Sequence, residues 1–446
     1  MHLQEISEWI KKHRITEIEC VVPDMTGNAR GKFIPADKFI KEDSRLPQAI
    51  LVTTVTGDYT EEESDLIGPT DSDMMLHPDA STMRLVPWAD EPTGQIIHDC
   101  HLREGGLHPL ATRNVLRKIL SLYEAEGWQP IVAPEVEFYL VQKNPDPDLE
   151  LQPPIGRSGR REAGRQSYSI DAVNEFESII EDMYTYCEAQ ELDVDTLIHE
   201  SGLAQMEINF LHGDPLSLAD QVFVFKRTMR ETALRHGVFA TFMAKPMARE
   251  PGSALHIHQS IVDRKTGANI FSKEDGTEHP RFRHFIGGLQ AYTPGAMAFF
   301  CPSVNSYRRL SPDFAAPTNM EWGYENRTTG IRIPDSNAQA RRVENRFPGA
   351  DCNPYLAIAV SLACGYLGMK NGIDPTEPHP GDAYKEPLTV PRSLEAALRL
   401  LDDETDLKEV LGREFIRAYQ AVKSHEFEAF NKVISSWERE YLLLNV

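Results

Sequence analysis

Six side chains able to hold a cation recur at alternate positions of extended stretches. Glu135 and Glu137 alternate with apolar residues in Ile131-Val-Ala-Pro-Glu-Val-Glu-Phe-Tyr-Leu140. Gln205, Glu207 and Asn209 do the same between Ala204 and Phe210, and Glu200 stands just before a glycine turn. His256, His258 and Ser260 share a face of Leu255–Ser260, and Arg342, Glu344 and Arg346 share a face of Arg342–Phe347. Successive side chains of a strand point to opposite faces, so each set is presented together. A single Glu-x-Glu is ordinarily a solvated strand face, with its carboxylates about 7 Å apart at the backbone. Recurrence changes that reading. Five converging carboxylates (Glu135, Glu137, Glu200, Glu207 and Glu344) repel one another unless cations neutralise them. Oxygen ligands with one imidazole, His256, suit Mg²⁺ or Mn²⁺ better than Zn²⁺.

A second group is positive: Arg309, Arg327, Arg332, Arg342 and Arg346. Guanidinium forks bind phosphate and carboxylate bidentately. Each arginine alone would be read as an ion pair. Together with divalent metals they supply what phosphoryl transfer needs, because positioning and charge neutralisation do most of that catalysis.

These faces need a sheet backed by helices, since each strand keeps an apolar opposite face. Helices are expected at Leu3–His13, Ala111–Glu126, Val173–Gln190, Leu218–His236, Leu394–Asp402 and Arg413–Tyr441. Glu17–Val22 and a following strand to Ile34 form a hairpin about Pro23, Asp24 and Gly27. Further strands are expected at Ala49–Val55, Met83–Trp88 and Gln95–Cys100. Glu104-Gly105-Gly106 marks the boundary between a small α+β unit, 1–103, and a larger one, 104–446. Residues 144–166 and 374–391 read as surface loops. Gly27-Asn-Ala-Arg-Gly-Lys32 is only superficially a phosphate loop: the spacing is short and Phe33 replaces the Ser or Thr. Asn326-Arg-Thr328 matches a glycosylation sequon by chance.

A chain of 446 residues exceeds a single compact core. Its formal charge of −22 argues against nucleic acid and anionic membrane as partners. Six scattered cysteines without a Cys-x-x-Cys pair suit a reducing cytoplasm, and neither a signal-peptide pattern nor a membrane-length apolar run is present.

With these motifs in view, the chain resembles the glutamine synthetase family, type I subclass, over its whole length. Pro134-Glu-Val-Glu-Phe138, Gly202-Leu-Ala-Gln-Met-Glu207, Gly252-Ser-Ala-Leu-His-Ile-His-Gln-Ser260, Asn305-Ser-Tyr-Arg-Arg309, Asn326-Arg327 and Arg342-Val-Glu-Asn-Arg346 carry the resemblance in order. It implies an α+β fold: an N-terminal β-grasp-like domain and a catalytic domain built on a curved antiparallel sheet. It also implies stacked rings, commonly a dodecamer, with each site completed by a neighbour. Glu137, Glu200 and Glu207 would then hold one metal, and Glu135, His256 and Glu344 another. Gly252, Arg309 and Arg346 would orient glutamate. Ser260, Arg327, Arg332 and Arg342 would serve ATP and the transferred phosphoryl group. His258 shares the strand face in a supporting position.

The departures fall on the ammonium pocket. In the family a mobile flap carries a glutamate; here Ser311-Pro-Asp-Phe-Ala-Ala-Pro317 has Ala315 at that position. The family's Asp-Gly-Ser segment has no clean match, Asp58 being out of register, and Glu250-Pro251 stands where Asn-Gly is usual. The segment that carries the regulatory adenylylated tyrosine is shortened, so Tyr384 inherits no such role. This pattern points to an unchanged electrophile and a larger nucleophile: ATP-dependent ligation of glutamate to a polyamine, with ammonium, ethanolamine or a small alkylamine as alternatives. A non-catalytic homologue would show broken metal positions, and none is broken. Glu200 would attract and deprotonate the amine, with Ala315, Phe314 and Tyr168 lining its pocket.

Overall fold

Two sheets carry the described residues, and a buried cluster of charges ties the first to helices that pack with the second. The structure, a computed structural model, describes residues 2–41, 43–60, 63–312 and 315–446. The N-terminal unit begins with a helix, His2–His13, followed by β1 (Glu17–Pro23), β2 (Ala29–Pro35), β3 (Ser44–Pro47), β4 (Asp73–Pro78), β5 (Arg84–Leu85) and β6 (Thr93–His101). These form one mixed sheet in the order β2-β1-β6-β4-β3, with β5 on β6; β1 and β6 run parallel. Ile6 and Ile10 of the helix pack on Ile18 and Ile96, giving this unit a small core of its own. The expected hairpin is present from Glu17 to Pro35. Gly31 serves it rather than a phosphate: a Cβ there would lie 1.9 Å from the Cys20 carbonyl.

Two strand expectations in this unit are corrected. Residues Gln48–Val52 form a 3₁₀ turn, not a strand. The Ala49 amide donates to the Asp71 carboxylate and the Gln48 amide reaches Ser72, so side chains, not a neighbouring strand, satisfy this backbone. Between Met83 and Trp88 only Arg84–Leu85 pairs; Pro87 has no N–H to extend the ladder.

The second sheet uses β7 (Trp128–Gln142), β8 (Val194–His199), β9 (Gln205–Phe210), β10 (Val238–Thr241), β11 (Leu255–Asp263), β12 (Trp322–Tyr324), β13 (Ile331–Ile333) and β14 (Val343–Asn345). Its order is β12-β13-β14-β11-β7-β9-β8, with β10 also on β7. All pairs are antiparallel except β12–β13. The 15-residue β7 is the spine: β11 and β10 share one edge and β9 takes the other. Val132, Val136, Phe138 and Leu140 face inward and are fully buried.

Helices Thr112–Ala125, Glu177–Ala189 and Pro215–Arg235 stand close to where the periodicity places them. The expected helix from residue 173 is divided at Phe176, leaving a separate turn at Ile170–Asn174. The expected helix 413–441 is also divided. It ends at Asn431, and Ser435 with Glu438 forms a reciprocal cap that starts Ser436–Leu442. Two long buried helices, Pro280–Phe300 and Pro354–Asn371, were not expected from periodicity. They cross so closely that a Cβ on Gly288 would lie 2.2 Å from the Cys364 carbonyl.

Arg113 joins the two units. It is 2 % exposed and donates to Asp220 on the Pro215–Arg235 helix at 2.8 Å, to Asp79 after β4 at 2.8 Å, and to Asp99 on β6. The Tyr355 hydroxyl also donates to Asp220. Among the described residues no helix is long and apolar enough to cross a membrane, and all six cysteines are buried and unpaired.

Candidate active site

Strand register assembles the acids. Glu137 on β7 is the direct partner of Glu207 on β9. Glu135 is the partner of Asn209 on one side and of His256 on the other. His258 on β11 pairs with Glu344 on β14, which in turn pairs with Arg332 on β13. Residues far apart in sequence thus share one polar face, while the opposite face enters the core.

Two chambers open on that face. The smaller, about 370 Å³, is bordered by Glu137, Glu200, Glu207, Arg309, Arg346 and Ala315, with Gly252, His256 and Tyr168 completing it. The larger, about 840 Å³, is bordered by Ser260, His258 and Arg342 on the far side of β11 and β14. Glu135, Asn209, Arg327 and Arg332 line both chambers, so they mark the passage between them. Glu344 lies beneath this passage, 1 % exposed. Phe314 lies outside the described residues.

Burial and mutual repulsion set the charges. Glu207 is pushed up to about 10 by burial and by Glu135, Glu137, Glu200 and Glu344. Glu137 is pushed up to about 8 by burial and Glu200, although it accepts from the Ala254 amide at 2.9 Å and the Gln205 side chain at 3.1 Å. Burial also raises Glu200. Glu135 and Glu344 go the other way despite burial. Hydrogen bonding to His256 and His258 holds Glu135 low, and Arg346 with both histidines holds Glu344 at about 2. Burial and the charge of Arg346 lower His256 to about 4, leaving the imidazole neutral, the form that coordinates a metal.

This donor set fits hard divalent cations. Ligand oxygens of Glu137, Glu200 and Glu207 lie within 4.8 Å of one another, and the carboxylates of Glu135 and Glu207 with a ring nitrogen of His256 form a second such group. Three crowded acids that cannot all ionise alone are what a cation of charge two would relieve. The expected trio of Glu135, His256 and Glu344 lies close together, with His256 Nδ1 3.5 Å from Glu135 and 3.8 Å from Glu344. Glu344 also groups with Glu135 and His258, its register partner, and His256 with Glu135 and Glu207. Both Glu344 oxygens also accept guanidinium N–H bonds at 2.6 Å, from Arg346 and Arg332.

The arginines divide into held and free. Arg309 spends two N–H groups on the Phe347 and Arg346 carbonyls at 2.8 Å. Its side chain also explains Gly252, where a Cβ would meet the Arg309 Cγ at 2.5 Å. Arg342 reaches the His258 Nδ1 at 3.3 Å. Arg327 is exposed at the passage and forms no ion pair among the described residues.

Comparison with known proteins identifies this arrangement. Residues 109–442 match the family described as glutamine synthetase, catalytic domain. The chain belongs to the glutamine synthetase family. It is a ligase that forms a C–N bond. It is 32% identical to the gamma-glutamylputrescine synthetase of Escherichia coli (strain K12), with 99% of this chain and 95% of that protein covered. Identity is also 32% to the glutamate–isopropylamine ligase of Pseudomonas sp, over 97% of this chain and 96% of that one. A glutamine synthetase of Halobacterium salinarum is 32% identical over 84% of this chain and 83% of its own length. A solved structure described as apo GmaS without ligand superposes with a TM-score of 0.84 at 27% identity, covering 98% of this chain and 99% of that one.

Within this glutamine synthetase family site, several supporting residues escaped the sequence. Glu162 lies in the segment read as a surface loop, yet its carboxylate is buried, accepting from the Ala204 amide at 2.6 Å and meeting His199 at 3.2 Å. His199 directly precedes Glu200, so this contact braces the turn presenting Glu200. Gln205 links Glu137 to the Gly252 carbonyl; its place on the polar face of β9 was the available signal. Tyr384 turns inward, its hydroxyl buried. Asn326 of the sequon is folded inward, donating to the Gly381 carbonyl at 2.7 Å.

Proposed function

We propose that this glutamine synthetase family ligase joins the γ-carboxylate of L-glutamate to a primary amine, a polyamine of the putrescine type, consuming ATP through a γ-glutamyl phosphate. The observation that carries the choice of amine is Ala315. It lines the same chamber as Glu200 and Arg309, bringing a methyl group where the resemblance leads one to expect a carboxylate. Relatives named for putrescine and isopropylamine support the reading.

ATP occupies the larger chamber, its phosphates directed at the passage by Ser260, Arg342, Arg332 and Arg327. Glutamate occupies the smaller one, oriented by Gly252, Arg309 and Arg346. Glu137, Glu200 and Glu207 would hold one Mg²⁺ or Mn²⁺; Glu135, His256 and Glu344, with Glu207 and His258 beside them, would hold the other. Such ions neutralise the phosphate and carboxylate oxygens that must approach one another. Arg327, the free guanidinium at the passage, stabilises the transferring phosphoryl group. The amine arrives protonated, its pKa being near that of lysine, about 10.4. Glu200 attracts that cation and takes its proton; the free amine attacks the acyl phosphate and phosphate leaves. Tyr168 and Ala315, with Phe314 expected beside them, provide room and aromatic surface for the alkyl chain. The same reading places the enzyme in the cytoplasm as a dodecamer of two hexameric rings.

Measuring phosphate release with an amine panel tests this proposal. Faster turnover with isopropylamine or ethanolamine than with any polyamine would move the substrate to a small alkylamine. Best turnover with ammonium would make the protein an ordinary glutamine synthetase.

A further inference from the structure

A cavity of about 370 Å³ lies between the N-terminal hairpin turn and the catalytic domain, sharing no lining residue with either active-site chamber. Thr26, Gly27 and Asn28 form its N-terminal wall. The Pro215–Arg235 helix supplies Lys226 and Arg230, the end of β10 leads to Phe242, and Ser303 and Asp351 close the floor. We propose that this cavity is a second ligand site, for a small carboxylic acid that also carries a hydrogen-bond donor.

Two cations in the wall, Lys226 and Arg230, form no ion pair among the described residues. Lys226 is 6 % exposed. Its Nζ donates to the Cys352 carbonyl at 2.8 Å and sits 5.7 Å from the Phe242 ring centre, and no carboxylate pairs with it among the described residues. Burial pulls its pKa down to about 8. Arg230, one helical turn on, lies 5.2 Å from the same ring centre and also forms no ion pair among the described residues. Asp351 in the floor acts on Lys226 only at a distance, without an ion-pair contact, and an anion that enters beside this buried ammonium lowers the cost of its burial. Lys423, also in the wall, is already satisfied by Glu426 at 2.8 Å.

The floor supplies the other half of the pattern. Asp351 accepts the Ser303 and Ser306 hydroxyls through Oδ2 at 2.7 and 2.6 Å. Its Oδ1 is buried with no partner. An ionised carboxylate oxygen accepts only, so it asks for a hydroxyl or ammonium donor. A simple dicarboxylate would satisfy the cations and leave Oδ1 unpaired. A hydroxy acid or an amino acid satisfies both ends. The location suits a ligand, since such sites favour domain junctions. Ser306 opens the turn that ends at Arg309, so two hydroxyl contacts join this cavity to the glutamate end of the active site.

Calorimetric titration of the full assembled protein with saturating MgADP decides the matter, because Arg230→Ala and Lys226→Met separate this cavity from the glutamate chamber. L-Malate, which has the donor, should bind saturably and at least about fivefold more tightly than succinate, which lacks it. L-Aspartate should behave like L-malate. Arg230→Ala, at an exposed position, should weaken L-malate by about tenfold or more, equivalent to about 1.4 kcal/mol, with basal turnover unchanged. Lys226→Met, close in volume, should do the same. Absence of saturable L-malate binding, an affinity untouched by both substitutions, or succinate binding as tightly as L-malate overturns the proposal. The readout is binding, so it stands whichever amine the enzyme uses.

Discussion

Glu137 and Glu207 face each other directly across β7 and β9, two buried carboxylates on adjacent strands. Their folded-state pKa values of about 8 and about 10 lie above the ordinary 4.5. A carboxylic acid shifted upward binds more protons folded than unfolded. Its contribution is therefore complete below about pH 4.5 and is lost as the pH climbs through about 8 and about 10. Metal-free protein should lose several degrees of melting temperature between pH 6 and pH 9, about 2–4 °C per kcal/mol in large domains. Glu207→Gln should flatten that slope, and Mn²⁺ should flatten it in the wild type. A metal-free slope identical in Glu207→Gln would remove these acids as its source. Thermal melts across that range in chelator provide the check.

Glu207→Ala should leave the fold intact and cost turnover about 10³-fold or more, because it belongs to two of the three groups able to hold a cation. Steady-state phosphate release measures this, with circular dichroism as the folding control. Near-normal turnover would show that Glu207 holds no catalytic metal.

Arg113→Met should weaken the junction between the N-terminal sheet and the Pro215–Arg235 helix. The arginine faces Asp79, Asp99 and Asp220; without it Arg117 still reaches Asp79 and Asp99, but the buried Asp220 loses its ion pair. Breaking a buried ion pair in this way costs about 3–5 kcal/mol. Urea unfolding should show that loss, and an unchanged midpoint would mean the cluster relaxes into water.

The site was legible in the sequence because strands alternate. Glu135, Glu137, Glu207 and His256 fall on one face whatever the neighbouring strands do, and the structure shows them there. Register was not legible. That Glu344 pairs with His258 and also lies 3.8 Å from His256 depends on how β14 slides on β11, and the sequence contains no signal for that register. Glu162 was hidden for a different reason: its partners are a backbone amide and a histidine about 40 residues away, with no periodicity to betray them. The two most buried helices were missed because amphipathic contrast is the usual mark of a helix. Pro354–Asn371 is buried on every side over most of its length, and Pro280–Phe300 includes Pro294.

Ala315→Glu should shift the choice of nucleophile. Ala315 already has a left-handed φ of 57°, so a larger side chain adds no new backbone strain of the kind glycine avoids. A carboxylate there would fill space beside Glu200 and offer ammonium a closer counter-charge. The ratio of kcat/KM for putrescine to that for ammonium should fall by about tenfold or more, roughly 1.4 kcal/mol of differential stabilisation. An unchanged ratio would show that another position governs the amine.

The central claim is that this chain ligates glutamate to an amine larger than ammonia. Phosphate release should be followed with L-glutamate, ATP and Mg²⁺ against putrescine, cadaverine, spermidine, ethanolamine, isopropylamine and ammonium at equal concentrations, with the product confirmed by mass. The account predicts highest kcat/KM for a polyamine, a γ-glutamyl-polyamine product, and ammonium at the bottom of the series. Highest kcat/KM for ammonium, with glutamine as the product, would contradict it.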